Sequence, residues 1–136
     1  MKILEILTEK RKIGNVGERA AEKLLKKSGY KILERNYVAL GYEIDIIAHD
    51  REHTVFCEVK TRTMGRESSK EFRPASSVTP EKQKKIITVA KYYNANKNLS
   101  RKMRFDIIEV FVDDTKKVQD TKHLIGAFNY DTASKR

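Results

Sequence analysis

The chain has 136 residues, enough for one domain around one core. With 39% hydrophobic and 35% charged residues it reads as a soluble globular chain, and no apolar run approaches the roughly 18 residues of a membrane span. Lys and Arg number 29 against 19 Asp and Glu, and the resulting +10 favours an anionic partner, nucleic acid before a membrane surface.

The first twelve residues, MKILEILTEKRK, hold a short apolar stretch broken by Glu5 and have no small-residue cleavage site, which argues against a signal peptide. They and residues 130–136 are expected to be flexible ends of a single 1–136 domain. Cys57 is the only cysteine, so no intrachain disulfide can form and a reducing cytoplasm is the expected location. One cysteine with His49, His53 and His123 gives no zinc-ligand spacing.

Asn15 to Ser28 has the pattern of a helix. Asn15 can cap it, Glu18 stands three residues on as in a capping box, and Gly29 can end it. Its apolar stripe includes Ala21, Leu24 and Leu25, and Gly14 and Gly17 permit a close approach at its start. Three strand-like segments follow: Tyr30–Tyr37, Tyr42–His49 and Thr54–Thr61, with turns at Gly41 and at Asp50–His53. Residues 64–77 are polar and irregular, as in a mobile loop. Thr79-Pro80-Glu81 opens a second helix reaching about Asn94, with Ile86, Val89, Ala90 and Tyr93 on its apolar face. Met103–Val112 is a strong strand and His123–Phe128 a final one. The order α-β-β-β-α-β-(β) predicts an α/β fold with a mixed central sheet flanked by helices.

Strand periodicity locates the chemistry. Glu43 and Asp45 share one strand face, and Phe56, Glu58 and Lys60 share a face of the next strand. If the hairpin sets Asp45 beside Glu58, two carboxylates and an ammonium converge. Such a group can serve phosphodiester hydrolysis, which needs a hard divalent cation held by one or two carboxylates. Lys60 would orient or deprotonate the attacking water. The competing reading is a cross-strand surface ion pair worth roughly 0.2–1 kcal/mol. The apolar neighbours Val55, Phe56, Cys57 and Val59, and Ile44, Ile46 and Ile47 around Asp45, weigh against it, because unpaired charge on a buried strand is costly.

GNVGERAAEKLLKKSGYKIL, GYEIDIIAHD, VFCEVKTRT and SVTPEKQKKI, in that order, resemble the YraN family of bacterial proteins, which falls within the restriction-endonuclease-like PD-(D/E)xK superfamily. The resemblance runs from about Lys12 to the Arg104-Phe105-Asp106 segment and implies an αβββαβ core similar to archaeal Holliday-junction resolvases. It implies metal-ligand roles for Asp45, Glu58 and the Val59 carbonyl, and a catalytic role for Lys60. Glu18 matches a first-helix glutamate that approaches the metal in resolvase-like relatives, so it can be a third acid or only a capping-box residue. Mg²⁺ is the implied cofactor, with Mn²⁺ as a substitute. Tyr42, between Gly41 and Glu43, departs from the common GEID and makes that turn less regular.

Glu43 sits two residues from Asp45, roughly 7 Å away, and is at best an outer group. Gln83 could approach the site from the second helix, against a plain exposed position. Arg62 beside the site and Lys82, Lys84 and Lys85 at the second helix are candidate phosphate contacts, with Arg101, Lys102 and Arg104, and Arg66, Lys70 and Arg73 in the loop. Tyr37, Tyr42, Tyr92 and Tyr93 could stack on bases, although packing at the core edge suits most of them better. Together these features suggest a metal-dependent endonuclease acting on DNA, ahead of RNA, including branched or structured DNA. The alternative is a nucleic-acid-binding module that keeps the fold without activity. Resolvase-like relatives work as symmetric dimers, but no residue here requires a homodimer.

Overall fold

The computed structural model describes residues 3–64, 78–97 and 99–130, with residues 5–14 as backbone only. Arg66, Lys70 and Arg73 lie outside the described residues. Its elements are α1 (Ile3–Lys27), β1 (Lys31–Ala39), β2 (Tyr42–His49), β3 (His53–Thr63), α2 (Pro80–Lys97), β4 (Lys102–Val112) and β5 (Val118–Phe128). The strands form one sheet in the order β1-β2-β3-β4-β5. Neighbours are antiparallel except β3 and β4, which run parallel across the α2 crossover. This is the mixed sheet flanked by helices that the pattern predicts, with β5 added at the edge.

Each helix covers one face. Ala21 and Leu25 of α1 pack with Ile46, Ala48, Val55, Cys57, Ile108 and Val110. Ile86, Val89, Ala90 and Tyr93 of α2 pack with Ile44, Ile47, Phe56, Phe105 and Ile107. Each fully buried aliphatic or aromatic side chain contributes about 1.5–3 kcal/mol. The middle strands β3 and β4 are covered on both faces, so their sequences run apolar almost without alternation. No described helix is long and apolar enough to cross a membrane.

The first helix departs from expectation. It begins at Ile3, so Asn15 lies inside it and caps nothing. Leu, Ile, Glu, Lys and Arg in residues 3–13 are adequate to good helix formers, and their run carries the helix through Gly14 and Gly17, whose cost is about 1 kcal/mol each. Glu18 is therefore not part of a capping box, and its local structural role disappears. The C-terminus ends as expected: Gly29 adopts φ 97°, its N–H donates to Lys26 O, and Tyr30 N–H reaches back to Leu25 O at 3.0 Å. Thr79 Oγ1 accepts from Lys82 N–H at 3.2 Å and starts α2 before Pro80. Leu40 and Gly41 both have positive φ, 53° and 76°, and form the tight turn between β1 and β2.

Arg104 is placed differently from a phosphate contact. Its guanidinium donates to Asp106 at 3.0 and 2.8 Å and to Tyr30 Oη at 2.6 Å. Asp106 is fully buried and also meets His123 Nε2 at 2.7 Å and Gly126 N–H at 2.9 Å. Burial alone would raise the Asp106 carboxyl, but the His123 and Arg104 bonds hold it below its ordinary value. The cluster ties β4 to β5 and to the end of α1.

Gly17 brings α1 down on β3. A Cβ there would lie 1.9 Å from Thr61 Oγ1 and 3.1 Å from its Cβ. Gly17→Ala is expected to lower the urea-unfolding free energy by about 1–3 kcal/mol, with Thr61→Ala restoring part of the loss. An equal loss in both backgrounds would mean that this approach is not the cause.

Candidate functional site

The site begins where a ladder stops. β2 and β3 pair through Ile46–Cys57, Ile47–Phe56, Ala48–Val55 and His49–Thr54, and no further. Both strands continue past that point, β2 back to Tyr42 and β3 on to Thr63, so they form a fork. Extending the register places Asp45 next to Glu58 at its crotch. There the Asp45 carboxylate takes over from the backbone ladder: Val59 N–H donates to Asp45 Oδ2 at 2.8 Å. The N–H and C=O of one strand residue leave on the same edge, so the Val59 carbonyl also faces the gap.

Asp45 also marks a break in alternation. Ile44 and Ile47 pack on the α2 side, while Ile46 and Ala48 pack on the α1 side. The slip falls opposite Asn36 of β1, which has φ 50°. It turns Asp45 toward a cleft of about 570 Å³ between α1 and β1, lined also by Glu18, Arg19, Lys23 and Asn36.

The two acids are electrostatically costly. Burial, then the Asp45 charge, raises the Glu58 carboxyl above its ordinary value, against the pull of Lys60 and the Asp45 main-chain N–H. Burial likewise raises Asp45, and Glu18 and Glu43 add to it, while the Val59 N–H and Lys60 oppose it. Glu58 is only 7% exposed, and its Oε2 has no hydrogen-bond partner. Tyr42, half-buried beside them, has its hydroxyl pushed up to about 12 by burial and then by Glu58, Asp45 and Glu43.

Among the described residues no three His, Cys, Asp or Glu side chains close into a ready-made cage. The donor set nevertheless suits a hard divalent cation: a half-buried and a buried carboxylate side by side, the second with an orphaned oxygen, and a carbonyl at one gap. Such an ion would offset the burial and the repulsion that raise both acids. Glu18 acts on Asp45 across the cleft, and its Oε1 accepts from Asn36 Nδ2 at 3.1 Å. Glu43 accepts from the same nitrogen at 2.7 Å, which sets it at the rim.

The remaining predicted contacts are scattered. Lys84 and Lys85 line a small groove with Leu40 and Tyr42, so Tyr42 links them to the acids. Lys82 is exposed outside that groove. Gln83 turns inward, its Nε2 donating to Val78 O at 2.8 Å, and serves the start of α2. Arg62 lies on β3 just beyond Lys60, half-buried and near enough to act on Glu109. Tyr37 and Tyr93 pack edge to face at 5.0 Å, whereas Tyr92 is exposed. Asn36 escaped the sequence reading: it lies in a mixed strand, and only its left-handed backbone and two acceptors reveal it.

A carboxyl raised in the folded state stabilises the fold when protonated. That contribution is complete below its unfolded pKa and is lost as pH rises through the folded one. With divalent ions chelated, stability should therefore fall from about pH 5 to pH 8. Glu58→Gln should exceed the parent by about 1–3 kcal/mol at pH 8 and match it near pH 4.5, measured by urea unfolding in chelator. A pH-independent difference would refute this account of the pair.

Residues 17–110 match the model of the family described as Uncharacterised protein family UPF0102. A UPF0102 protein of Caldanaerobacter subterraneus subsp. tengcongensis is 41% identical over 121 residues, covering 88% of this chain and 96% of the relative. One from Clostridium acetobutylicum is 42% identical over 119 residues, covering 87% and 94%. Among solved structures, a fdxN element excision controlling factor protein from Anabaena variabilis aligns with a TM-score of 0.38 and 14% identity, over 79% of this chain and 98% of that one. The family match and the near full-length relatives agree with the resemblance in the sequence motifs, and the chain belongs to the UPF0102, YraN-like family.

Proposed function

We propose that the protein is a Mg²⁺-dependent endonuclease that hydrolyses phosphodiester bonds in DNA, with branched or structured DNA as the favoured substrate. The observation that carries this reading is the fork: half-buried Asp45 and buried Glu58 lie together where β2 leaves β3, at a cost of burial and then of charge repulsion that Lys60 does not offset. Acids kept together at such a cost are candidates for binding a cation.

In this reading Asp45, Glu58 and the Val59 carbonyl hold the ion, with Glu18 as an outer acid. The bound cation lowers the pKa of water and neutralises phosphoryl charge. Lys60, which acts on both carboxylates, positions the attacking water and balances charge developing on the phosphate. Val59 N–H keeps Asp45 aimed into the gap. The net charge of +10 supports a polyanionic substrate, with Arg62 on the strand of Lys60, Lys84 and Lys85 in the groove of Tyr42, and Lys82 beyond them.

Cleavage of linear, flapped and four-way DNA should require Mg²⁺ or Mn²⁺. Asp45→Asn, Glu58→Gln and Lys60→Met should each reduce it by at least about 100-fold, with circular dichroism unchanged. Binding of DNA without cleavage in either metal, unaffected by those three changes, would instead identify a binding module that keeps the fold without activity.

A further inference from the structure

Arg35 pairs with Ile46 and Tyr37 with Ile44, so Asn36 stands directly across from Asp45. Its Nδ2 donates to two carboxylates on different elements, Glu18 of α1 at 3.1 Å and Glu43 of β2 at 2.7 Å. An amide nitrogen carries two hydrogens and can serve both. The flipped amide would aim its oxygen at two anions, so electrostatics fixes the orientation. The φ of 50° is a conformation that asparagine tolerates better than most residues and that points this side chain into the cleft.

Of the cations lining this cleft, the one beside Asn36 on β1 is committed elsewhere: Arg35 is bound to Glu22 at 2.6 and 2.5 Å. A neutral amide can gather Glu18 and Glu43 while leaving their negative field in place, which a lysine or arginine would cancel. That field reaches Asp45. The same end of the sheet holds the orphaned Oε2 of Glu58, whose side chain is 7% exposed.

We propose that Asn36 is a positioning residue that holds Glu18 at the rim of the acid pair, where it raises the affinity of the site for a divalent cation. This rests on the cation reading of Asp45 and Glu58 given above. Asn36 touches neither the cation nor the substrate and acts through Glu18. The competing role is purely of the backbone, a left-handed residue that lets β1 and β2 slip in step.

Asn36→Gly separates the two, because glycine keeps the left-handed backbone and removes only the amide. Mn²⁺ binding by the full chain, followed by electron paramagnetic resonance without DNA, should weaken about tenfold in Asn36→Gly. Glu18→Gln should weaken it to a similar extent, and the double variant should be no weaker than either single one. The melting temperature of Asn36→Gly in chelator should stay near the parent's, because only the amide is removed. Unchanged Mn²⁺ affinity in Asn36→Gly overturns the proposal, as do additive losses in the double variant. If the parent binds no Mn²⁺, or Asp45→Asn binds it as well as the parent does, the cation reading itself fails and this inference falls with it.

Discussion

The early end of the β2–β3 ladder is the constraint on which the site depends. A ladder running the full length of both strands would fill the gap with backbone bonds and press the Asp45 and Glu58 side chains into one packed face. Instead a single carboxylate-to-N–H bond, from Val59 to Asp45, replaces the ladder at the crotch and leaves the edge beyond it open. The slip in alternation at Asp45 and the left-handed Asn36 opposite are the local expression of this parting. The two apolar layers can then remain continuous beneath an opening lined by acids.

Among the described residues three acids are buried on the neighbouring strands β3 and β4: Glu58, Asp106 and Glu109, the last facing the charges of Lys122 and Arg62 rather than another acid. Asp106 is saturated by Arg104, His123 and a backbone N–H, and its charge is stable where it stands. Glu58 retains an oxygen with no partner, and its nearest charged neighbour on β2 is another acid. The contrast separates a carboxylate whose bonds join strands from one whose bonding is left incomplete. Buried charge is costly unless paired, and only at Asp106 do the bonds outweigh the cost of burial; at Glu58 the pull of Lys60 and the Asp45 N–H does not.

Much of the architecture was legible in the sequence. Alternation and turn residues gave the three-strand run, and Thr79-Pro80 announced α2. The start of α1 was misplaced because Asn15, Gly14 and Gly17 look like a helix boundary, whereas the helix formers before them outweigh that signal. The adjacency of Asp45 and Glu58 followed from period and register. The fork did not, because where a ladder stops depends on packing of both faces and leaves no mark in either strand's composition. Asn36 was invisible for a similar reason: a positive φ within a strand and two acceptors from distant segments are properties of the folded chain. The basic residues were hardest to sort, since Arg104 and Lys84 look alike in sequence and only burial distinguishes an internal strut from a surface charge.

The parallel pairing of β3 with β4 has a consequence for the order of assembly. Asp45 and Glu58 sit on consecutive strands joined by a tight turn, which can meet through local contacts alone. The pairing of β3 with β4 is instead non-local and closes only across the whole α2 crossover. The acids are thus brought together while still hydrated, and the penalty of drying them is deferred to the last docking of the sheet. An interaction that matures after the rate-limiting step governs how long the native state persists more than how fast it forms. In that order of assembly, the burial and repulsion of the pair are expected to act on the lifetime of the native state.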